Sequence, residues 1–162
     1  MKPLNKIVYK KGDVIDAAMS GEYDMFMHGC NCLNIMGAAV AAQVRAKIPK
    51  LYEADQEFRI SSDDRLGLFS NVTSINRTMM CNLYTQYLPA TTGRQLNYGA
   101  LVSALKSAVE VYCESMVLSQ PINICLPRIG SGLAGGNWEI VEEILAYYEF
   151  FCKVEFHVYD FE

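Results

Sequence analysis

The sequence predicts an α/β protein: a three-layer α/β/α sandwich around a central mixed, mainly parallel sheet. Two observations support this fold class. Short apolar stretches typical of strands alternate along the chain with longer stretches of helical periodicity, which is the order found in α/β folds. Two of the short stretches, 25–30 and 122–126, are apolar on both faces, as expected of strands buried inside a parallel sheet.

Composition is consistent with one compact domain spanning residues 1–162. Hydrophobic residues make up 51% of the chain and charged residues 20%, so a sizeable core is expected. No apolar run approaches the roughly 18 residues that cross a bilayer, and the first residues lack the apolar core of a signal peptide. A net charge of −4 argues against general nucleic-acid binding. We therefore expect a cytoplasmic monomer without membrane contacts.

Six stretches have the length and composition of strands. They are residues 6–10, 25–30, 66–72, 78–84, 122–126 and 154–159. Four stretches have helical spacing of apolar residues. They are residues 36–48, 50–59, 95–116 and 138–150. The pair Gly12 and Asp13 ends the first strand, and Pro49 separates the first two helices because proline interrupts a helix interior.

Polar turns separate the remaining elements. A polar turn at 61–64 precedes the third strand, and a turn at 75–77 separates it from the fourth. A polar loop at 89–93 leads to the long helix, whose apolar stripe runs from Leu101 to Met116. The last strand alternates between apolar and polar residues, which is typical of a half-buried strand.

A glycine-rich segment, 126–138, lies between the fifth strand and the last helix. It contains four of the 11 glycines in the chain. A strand that turns through glycines into a helix exposes backbone N–H groups and the positive end of the helix dipole, which suit a phosphate or diphosphate. Asn137 is well placed to cap the helix. An ordinary connection without a ligand is the alternative, because single glycine-rich loops are weak motifs.

A second strand-to-helix segment, 28–41, has the same character. Ligands of α/β sheets bind beyond the carboxyl ends of the strands, so the two segments are expected to form one site. The amide of Asn31 can bond a ribose hydroxyl or, alternatively, its own backbone. His28, Cys30 and Cys32 fall on one strand face, but without a second ligand cluster we expect a buried strand end and no metal. The six cysteines are expected to be mostly buried thiols.

Four motifs in order resemble the macrodomain family, the ADP-ribose-binding fold. They are KGDV at 11–14, HGCNC at 28–32 with the following small residues, NLYTQ at 82–86, and PRIGSGLAGG at 127–136 followed by Trp138. The resemblance extends from residue 8 nearly to the end of the chain. It is strongest to the branch that contains ADP-ribose 1″-phosphate phosphatases of the yeast and phage types.

The resemblance implies a role for each matching residue. Asp13 accepts from the adenine amino group, Val14 supplies a backbone donor, Asn31 holds the distal ribose, and Trp138 packs under the glycine loop. The ligand-binding residues implied in this way are Asp13, Val14, Asn31, Met36, Gly37, Ala38, Ala39, Ile129, Gly130, Ser131, Gly132, Leu133, Ala134 and Gly135. Tyr159 is a candidate for flanking the adenine or the distal ribose.

Departures from the family pattern bear on the chemistry. The family also has a branch of terminal ADP-ribose protein glycohydrolases, the glycohydrolase branch. The resemblance implies that this branch has a lysine at the position of Gln86 and an aspartate at that of Ala134, and neither is present here. An amide forms no covalent adduct with a sugar, so that mechanism is disfavoured. Ala38 and Ala39 stand where many relatives have glycine, which tightens the loop around the distal ribose.

Two residues are candidates for catalysis. Asn31 can orient a water or the ribose, and His28 can act as acid or base because its ordinary pKa lies near neutrality. The alternative for His28 is a hydrogen-bonded core histidine, and His157 is expected to have a surface or packing role. The sequence thus predicts ADP-ribose or ADP-ribose 1″-phosphate as ligand, no cofactor, and phosphate release from the latter. The alternatives are an ADP-ribose reader without catalysis and a weak de-ADP-ribosylating hydrolase.

Overall fold

The computed structural model describes residues 7–89, 93–115 and 120–161. Strands and helices alternate through most of the described chain. In chain order they are β1 (Val8–Lys11), α1 (Val14–Met19), β2 (Met25–Asn31), α2 (Ala39–Lys47), α3 (Pro49–Gln56), β3 (Phe69–Thr73), β4 (Met79–Gln86), α4 (Tyr98–Glu114), β5 (Ile122–Leu126), α5 (Trp138–Phe151) and β6 (Val154–Asp160), with a 3₁₀ turn at Ser62–Asp64. None of the described helices combines the length and the apolarity that crossing a bilayer requires.

The sheet is mixed and mainly parallel, as predicted. Its six strands lie in the order β1-β6-β5-β2-β4-β3. Every neighbouring pair is parallel except β3 and β4, which are antiparallel. β2 lies between β5 and β4, so the carboxyl ends of these three strands meet at one edge.

Two apolar clusters on opposite faces of the sheet confirm the three-layer arrangement. One face packs against α4 and α5, with Leu101, Leu105 and Leu145 in its core. The other packs against α1, α2 and α3, with Ile15, Val44 and Leu51 in its core. Residues of β2 alternate between the two clusters because successive side chains of a strand point to opposite faces.

Several predicted boundaries are wrong, each for a local reason. α1 was not predicted; it begins where the Asp13 side chain caps the backbone N–H of Ile15 at 2.8 Å. α2 begins at Ala39 and not at residue 36, because the backbone stays extended at Ala38. α4 begins three residues later than predicted, because Asn97 caps it by accepting from Ala100 N at 2.9 Å. Lys6 and Met116, which were predicted to belong to elements, lie outside the described residues.

The end of β4 carries an irregularity next to the site. Cys30 pairs with Tyr84, but Asn31 pairs with Gln86, so Thr85 is the extra residue of a β-bulge. The bulge extends β4 two residues beyond the predicted end and brings Gln86 beside Asn31.

Candidate functional site

A cavity of about 580 Å³ opens at the carboxyl edge of β5, β2 and β4, where the sequence predicts the site. This volume is within the range of pockets that hold small molecules. Its walls come from the end of β2, from the β2–α2 loop (32–38) with the first turn of α2, and from the glycine loop (127–137). The lining residues are His28, Gly29, Cys30, Asn31, Ile35, Gly37, Ala38, Ala39, Val40, Ala41, Gln86, Pro89, Pro127, Arg128, Ile129, Gly130, Gly132, Leu133 and Ala134.

The glycine loop presents a row of unused backbone donors to the cavity. Within the described ranges, the N–H groups of Gly130, Gly132, Leu133 and Ala134 donate to no protein atom, and all four residues line the cavity. Ser131 and Gly135 differ, since their N–H groups donate to Arg128 O and Gly132 O inside the loop. The free donors can therefore hold an oxyanion from one side.

The glycines of this loop serve two purposes that the sequence does not separate. A Cβ added at Gly130 or Gly136 would lie 2.6 or 2.4 Å from side-chain atoms of Leu96, and one at Gly135 would lie 2.9 Å from Gly93 O. A Cβ at Gly132 would meet no atom of the described residues within 4 Å. Three glycines therefore allow close packing inside the protein, whereas Gly132 leaves space open. Leu96 packs beneath the loop at these glycines, and Trp138 contacts the loop through the guanidinium of Arg128, which lies over its ring.

The β2–α2 loop contributes a second set of donors. α2 has no side-chain cap, because its N-cap residue is Ala38, so within the described part of the chain the N–H groups of its first turn have no acceptor. Residues 38–41 line the cavity. Ala39 has a φ of 50°, a left-handed conformation that is costly for a residue with a Cβ. The positive end of α2 thus borders the same space as the glycine loop.

The Asn31 side chain is bonded to its own loop. Its Oδ1 accepts from Leu33 N at 3.0 Å and from Ile35 N at 3.4 Å, and its Nδ2 donates to Ile35 O at 2.7 Å. The sequence left two roles open for this amide, a bond to a ribose hydroxyl or bonds to its own backbone, and the structure shows the backbone bonds. Both lone pairs of Oδ1 are used, which leaves one Nδ2 hydrogen for a ligand.

His28 is a buried, neutral histidine. It is 1% exposed, stacks on Phe26, and lies with Nε2 2.6 Å from Asn82 Oδ1. Because Asn82 Nδ2 donates to Leu51 O and to Ser70 Oγ, Oδ1 is the acceptor and Nε2 carries the proton. Burial lowers the pKa of His28 to about 4, although the bond to Asn82 opposes this shift. These features favour the core-histidine interpretation and weaken that of a proton carrier near neutral pH.

The cysteines of this region are protonated thiols. Cys30 lines the cavity with its Sγ 3.6 Å from His28 Nε2, and burial raises the pKa of this thiol well above its usual value. Among the described residues, no three His, Cys, Asp or Glu side chains are grouped so that they could hold a metal ion. All six cysteines are unpaired, four of them buried, whereas Cys113 is exposed and Cys152 is half-buried.

Asp13 and Val14 do not line the cavity. Asp13 caps α1 with one carboxylate oxygen, and its other oxygen lies 3.5 Å from Lys47 Nζ. Val14 is buried in the first turn of α1. An adenine contact at Asp13 would therefore extend the site beyond the cavity and compete with Lys47.

Arg128 is the one arginine among the described residues that line the cavity. Its guanidinium donates to both carboxylate oxygens of Asp160, at 2.5 and 3.1 Å, and lies over the rings of Tyr9 and Trp138. The same bonds lower the pKa of Asp160. Because the charge of Arg128 is already paired, the backbone donors carry the attraction of the cavity for anions.

Gln86 and Ala134 are the residues that the sequence resemblance matches to the lysine and aspartate of the glycohydrolase branch. Both line the cavity, and Gln86 Nε2 donates to Leu88 O at 2.8 Å. His157 has a packing role: it lies between Glu155 and the Tyr23 hydroxyl, at 2.8 and 3.3 Å.

The structure brings together ten of the predicted site residues. Those that line the cavity are His28, Asn31, Gly37, Ala38, Ala39, Ile129, Gly130, Gly132, Leu133 and Ala134, and those that do not are Asp13, Val14, Met36, Ser131 and Gly135. Tyr159 also lies away from the wall, bonded to the Tyr23 hydroxyl at 2.7 Å. Sequence reasoning missed Ile35 and Arg128, although both lie within or beside the motifs that were singled out.

Comparisons with known proteins agree with this architecture. No protein-family model matches the chain. The chain is 35% identical over 160 residues to an uncharacterised 17.5 kDa protein of Enterobacteria phage T4, covering 96% of this chain and 97% of the relative. It is 26% identical to an ADP-ribose 1″-phosphate phosphatase of Scheffersomyces stipitis, with coverages of 94% and 98%. A solved macrodomain protein from Streptomyces coelicolor superimposes with a TM-score of 0.70 at 27% identity, with coverages of 95% and 98%.

Proposed function

The chain belongs to the macrodomain family, and on that premise we propose that its cavity binds ADP-ribose 1″-phosphate and releases the terminal phosphate. One observation carries the proposal: unused backbone donors of the glycine loop and the uncapped N-terminus of α2 border the same cavity. This arrangement matches a diphosphate, whose charges are held by backbone N–H groups and a helix dipole.

The walls of the cavity suit the sugar groups on either side of a diphosphate. The lining is largely apolar or small, with Ile35 and Ile129 from the two loops and Gln86 from β4. Such a lining covers sugar rings while a few polar groups fix their orientation. The free Nδ2 hydrogen of Asn31 is available to a hydroxyl of the distal ribose.

Phosphatase activity rests on the named relative from Scheffersomyces stipitis and on the chemistry of the site. In the proposed reaction, water forms a bond to phosphorus, the bond from phosphorus to the 1″ oxygen breaks, and ADP-ribose leaves with a hydroxyl. Backbone donors stabilise the charge that builds on the phosphoryl oxygens. The proton of the attacking water passes to an oxygen of the substrate, since His28 is neutral with its Nε2–H committed to Asn82.

A binding module without turnover is the second candidate, and the state of His28 favours it. Two titratable side chains of the cavity wall, those of His28 and Cys30, have pKa values that burial shifts away from proton exchange near neutral pH. De-ADP-ribosylation through a covalent sugar adduct is disfavoured, because Gln86 cannot act as the nucleophile.

Calorimetric titration combined with a phosphate-release assay tests the proposal. We expect ADP-ribose to bind, ADP to bind more weakly, and AMP, which lacks the second phosphate and the distal ribose, to bind weakest. Phosphate release from ADP-ribose 1″-phosphate distinguishes the two candidates. Binding of ADP-ribose 1″-phosphate without phosphate release would support the binding module. Equal affinity for AMP and ADP-ribose would contradict the diphosphate site itself.

A further inference from the structure

We propose that Arg65, a residue outside the cavity, is a positioning residue that holds the β2–α2 loop in its ligand-receiving shape through Asn34. The inference rests on the proposed function for its effect on ligand affinity. Arg65 belongs to none of the four motifs, and in this proposal it controls the rate at which ADP-ribose binds.

Arg65 is an unusually well-fixed buried cation. The residue is 5% exposed. Its Nη2 donates to Ile60 O at 2.7 Å and to Phe58 O at 3.2 Å, and its Nε donates to Ile60 O at 3.2 Å. Its guanidinium also lies over the rings of Phe58 and Tyr84, which are stacked on each other. A planar group with this many partners has no freedom to rotate.

The charge of Arg65 has a buried partner nearby. Asp55 is 1% exposed and accepts from the Tyr84 hydroxyl at 2.8 Å. Burial raises the pKa of Asp55, while the Tyr84 hydroxyl and the positive charge of Arg65 oppose the rise. Arg65 is therefore anchored by the body of the protein and not by the loop that it touches.

The remaining guanidinium nitrogen, Nη1, donates to Asn34 Oδ1 in the β2–α2 loop. Asn34 has a φ of 62°, one of three described non-glycine residues with positive φ. Its carbonyl accepts from Gln56 Nε2 at 2.9 Å. Two side chains from outside the loop thus hold Asn34 in a conformation that an asparagine adopts at some cost.

The backbone conformation of Asn34 determines the position of a residue in the cavity wall. Ile35, the next residue, lines the cavity, and its N–H and carbonyl are both bonded to the Asn31 side chain. If Asn34 relaxes, Ile35 moves with it and the bonds of Asn31 break. Arg65 therefore pre-organises one wall, and a loop without this contact would have to be ordered each time the ligand binds.

The test compares three variants at positive-φ positions. Asn34→Gly keeps the left-handed backbone without strain but removes the acceptor for Arg65, whereas Asn34→Asp keeps an acceptor. Arg77→Gly, at the distant β3–β4 turn with a φ of 67°, controls for placing glycine at such a position. We expect Asn34→Gly to weaken ADP-ribose binding about tenfold, because only the fraction of molecules with an ordered loop is competent. Asn34→Asp and Arg77→Gly are expected to bind as the wild type does.

Binding kinetics separate positioning from direct contact. A positioning role lowers the association rate and leaves the dissociation rate of ADP-ribose nearly unchanged, since the bound contacts are the same. A faster dissociation with unchanged association would show that Asn34 contacts the ligand, and would overturn the proposal. Wild-type affinity in Asn34→Gly would also overturn it.

Hydrogen exchange without ligand tests the same inference independently of function. The amides of Leu33 and Ile35, which donate to Asn31 Oδ1, are expected to exchange faster in Asn34→Gly than in the wild type and in Asn34→Asp. Equal exchange rates would overturn the proposal. Failure of the wild-type protein to bind ADP-ribose would instead contradict the proposed function, while the exchange comparison would still decide the role of Arg65.

Discussion

The glycine loop and the β2–α2 loop line the same cavity, but the protein holds them in different ways. The glycine loop is shaped by its own backbone, with Gly136 N bonded to Gly130 O at 2.7 Å, and by Leu96 packed beneath it. The β2–α2 loop is shaped by side chains from outside it: Asn31, the last residue of β2, bonds its backbone, and Arg65 donates to Asn34.

This difference decides which polar atoms each loop offers to a ligand. Among the described residues, the N–H groups of Gly130, Gly132, Leu133 and Ala134 have no protein acceptor, because the tight backbone turns of the loop pair only some of its N–H groups. The polar side chains of Asn31 and Asn34, in contrast, are largely used to hold the β2–α2 loop. Among the described residues, no side chain caps the N-terminus of α2. Rigid walls with unpaired donors are what pre-organised binding of an anion requires.

The largest expected effect tests Gly132, the loop glycine beside which the protein leaves space. Gly132→Val places a branched side chain where the protein leaves space, so the variant should fold and melt cooperatively while filling the ligand site. We expect a loss of at least about 100-fold in ADP-ribose affinity, which corresponds to about 2.8 kcal/mol. Calorimetry and a thermal melt measure the two properties. Wild-type affinity would mean that the loop does not cradle the diphosphate.

The second effect tests whether His28 belongs to the structure or to the chemistry. Burial of the ring lowers the pKa of His28 from 6.5 to about 4 in the folded protein. Between these two pH values the ring is therefore protonated in the unfolded state and neutral in the folded state. Stability should therefore rise with pH between these values, by about 3 kcal/mol in all, at 1.36 kcal/mol for each pH unit.

Denaturant unfolding of the wild type and of His28→Gln from pH 4 to 7 measures this dependence. The variant lacks the titrating ring, so its stability should change less over the same range. Identical curves for the two proteins would place the pKa of His28 near its ordinary value and restore it as a candidate acid or base.

The third effect tests whether Gly136 is needed for packing inside the protein and not for ligand binding. A methyl group at Gly136 would lie 2.4 Å from Leu96 Cδ2 and 2.6 Å from Gly130 O, so Gly136→Ala forces the loop to move. We expect a loss of about 1–3 kcal/mol in the free energy of unfolding, the usual cost of overpacking. Unlike Gly132→Val, this variant should show its defect in a denaturant titration without ligand. Unchanged stability would show that the loop adapts and is not held by packing.

The smallest effect concerns the strained end of α2. Ala39→Gly removes the cost of a left-handed alanine and should raise the free energy of unfolding by about 0.5 kcal/mol, after the entropy cost of glycine is deducted. Ala38→Gly is the matched control, because Ala38 is extended and gains nothing. A thermal melt of both variants measures the difference. Equal destabilisation of the two would mean that Ala39 is not strained.

Much of the fold follows from the sequence alone. The pattern of apolar residues determined the fold class and the approximate position of every predicted strand, because this pattern is a local property of the chain. The glycine-rich segment after β5 and the small residues after β2 likewise identified the two loops, since α/β sheets place their ligands beyond such strand ends. The short helix α1 was missed because six residues carry too little periodicity.

Tertiary structure alone decided what individual side chains do. Nothing local distinguishes Gly132 from Gly136; the difference arises from Leu96, some 40 residues away in the chain. The sequence left His28 and Asn31 each with two interpretations, and the contacts that favour one of them, burial beside Asn82 for His28 and bonds to the β2–α2 loop for Asn31, arise only in the tertiary structure. Arg65 lies in no motif, because its role comes from partners in the segment that follows α3, in β4 and in the β2–α2 loop. Functional roles that depend on distant contacts are set by packing, which the order of residues records only indirectly.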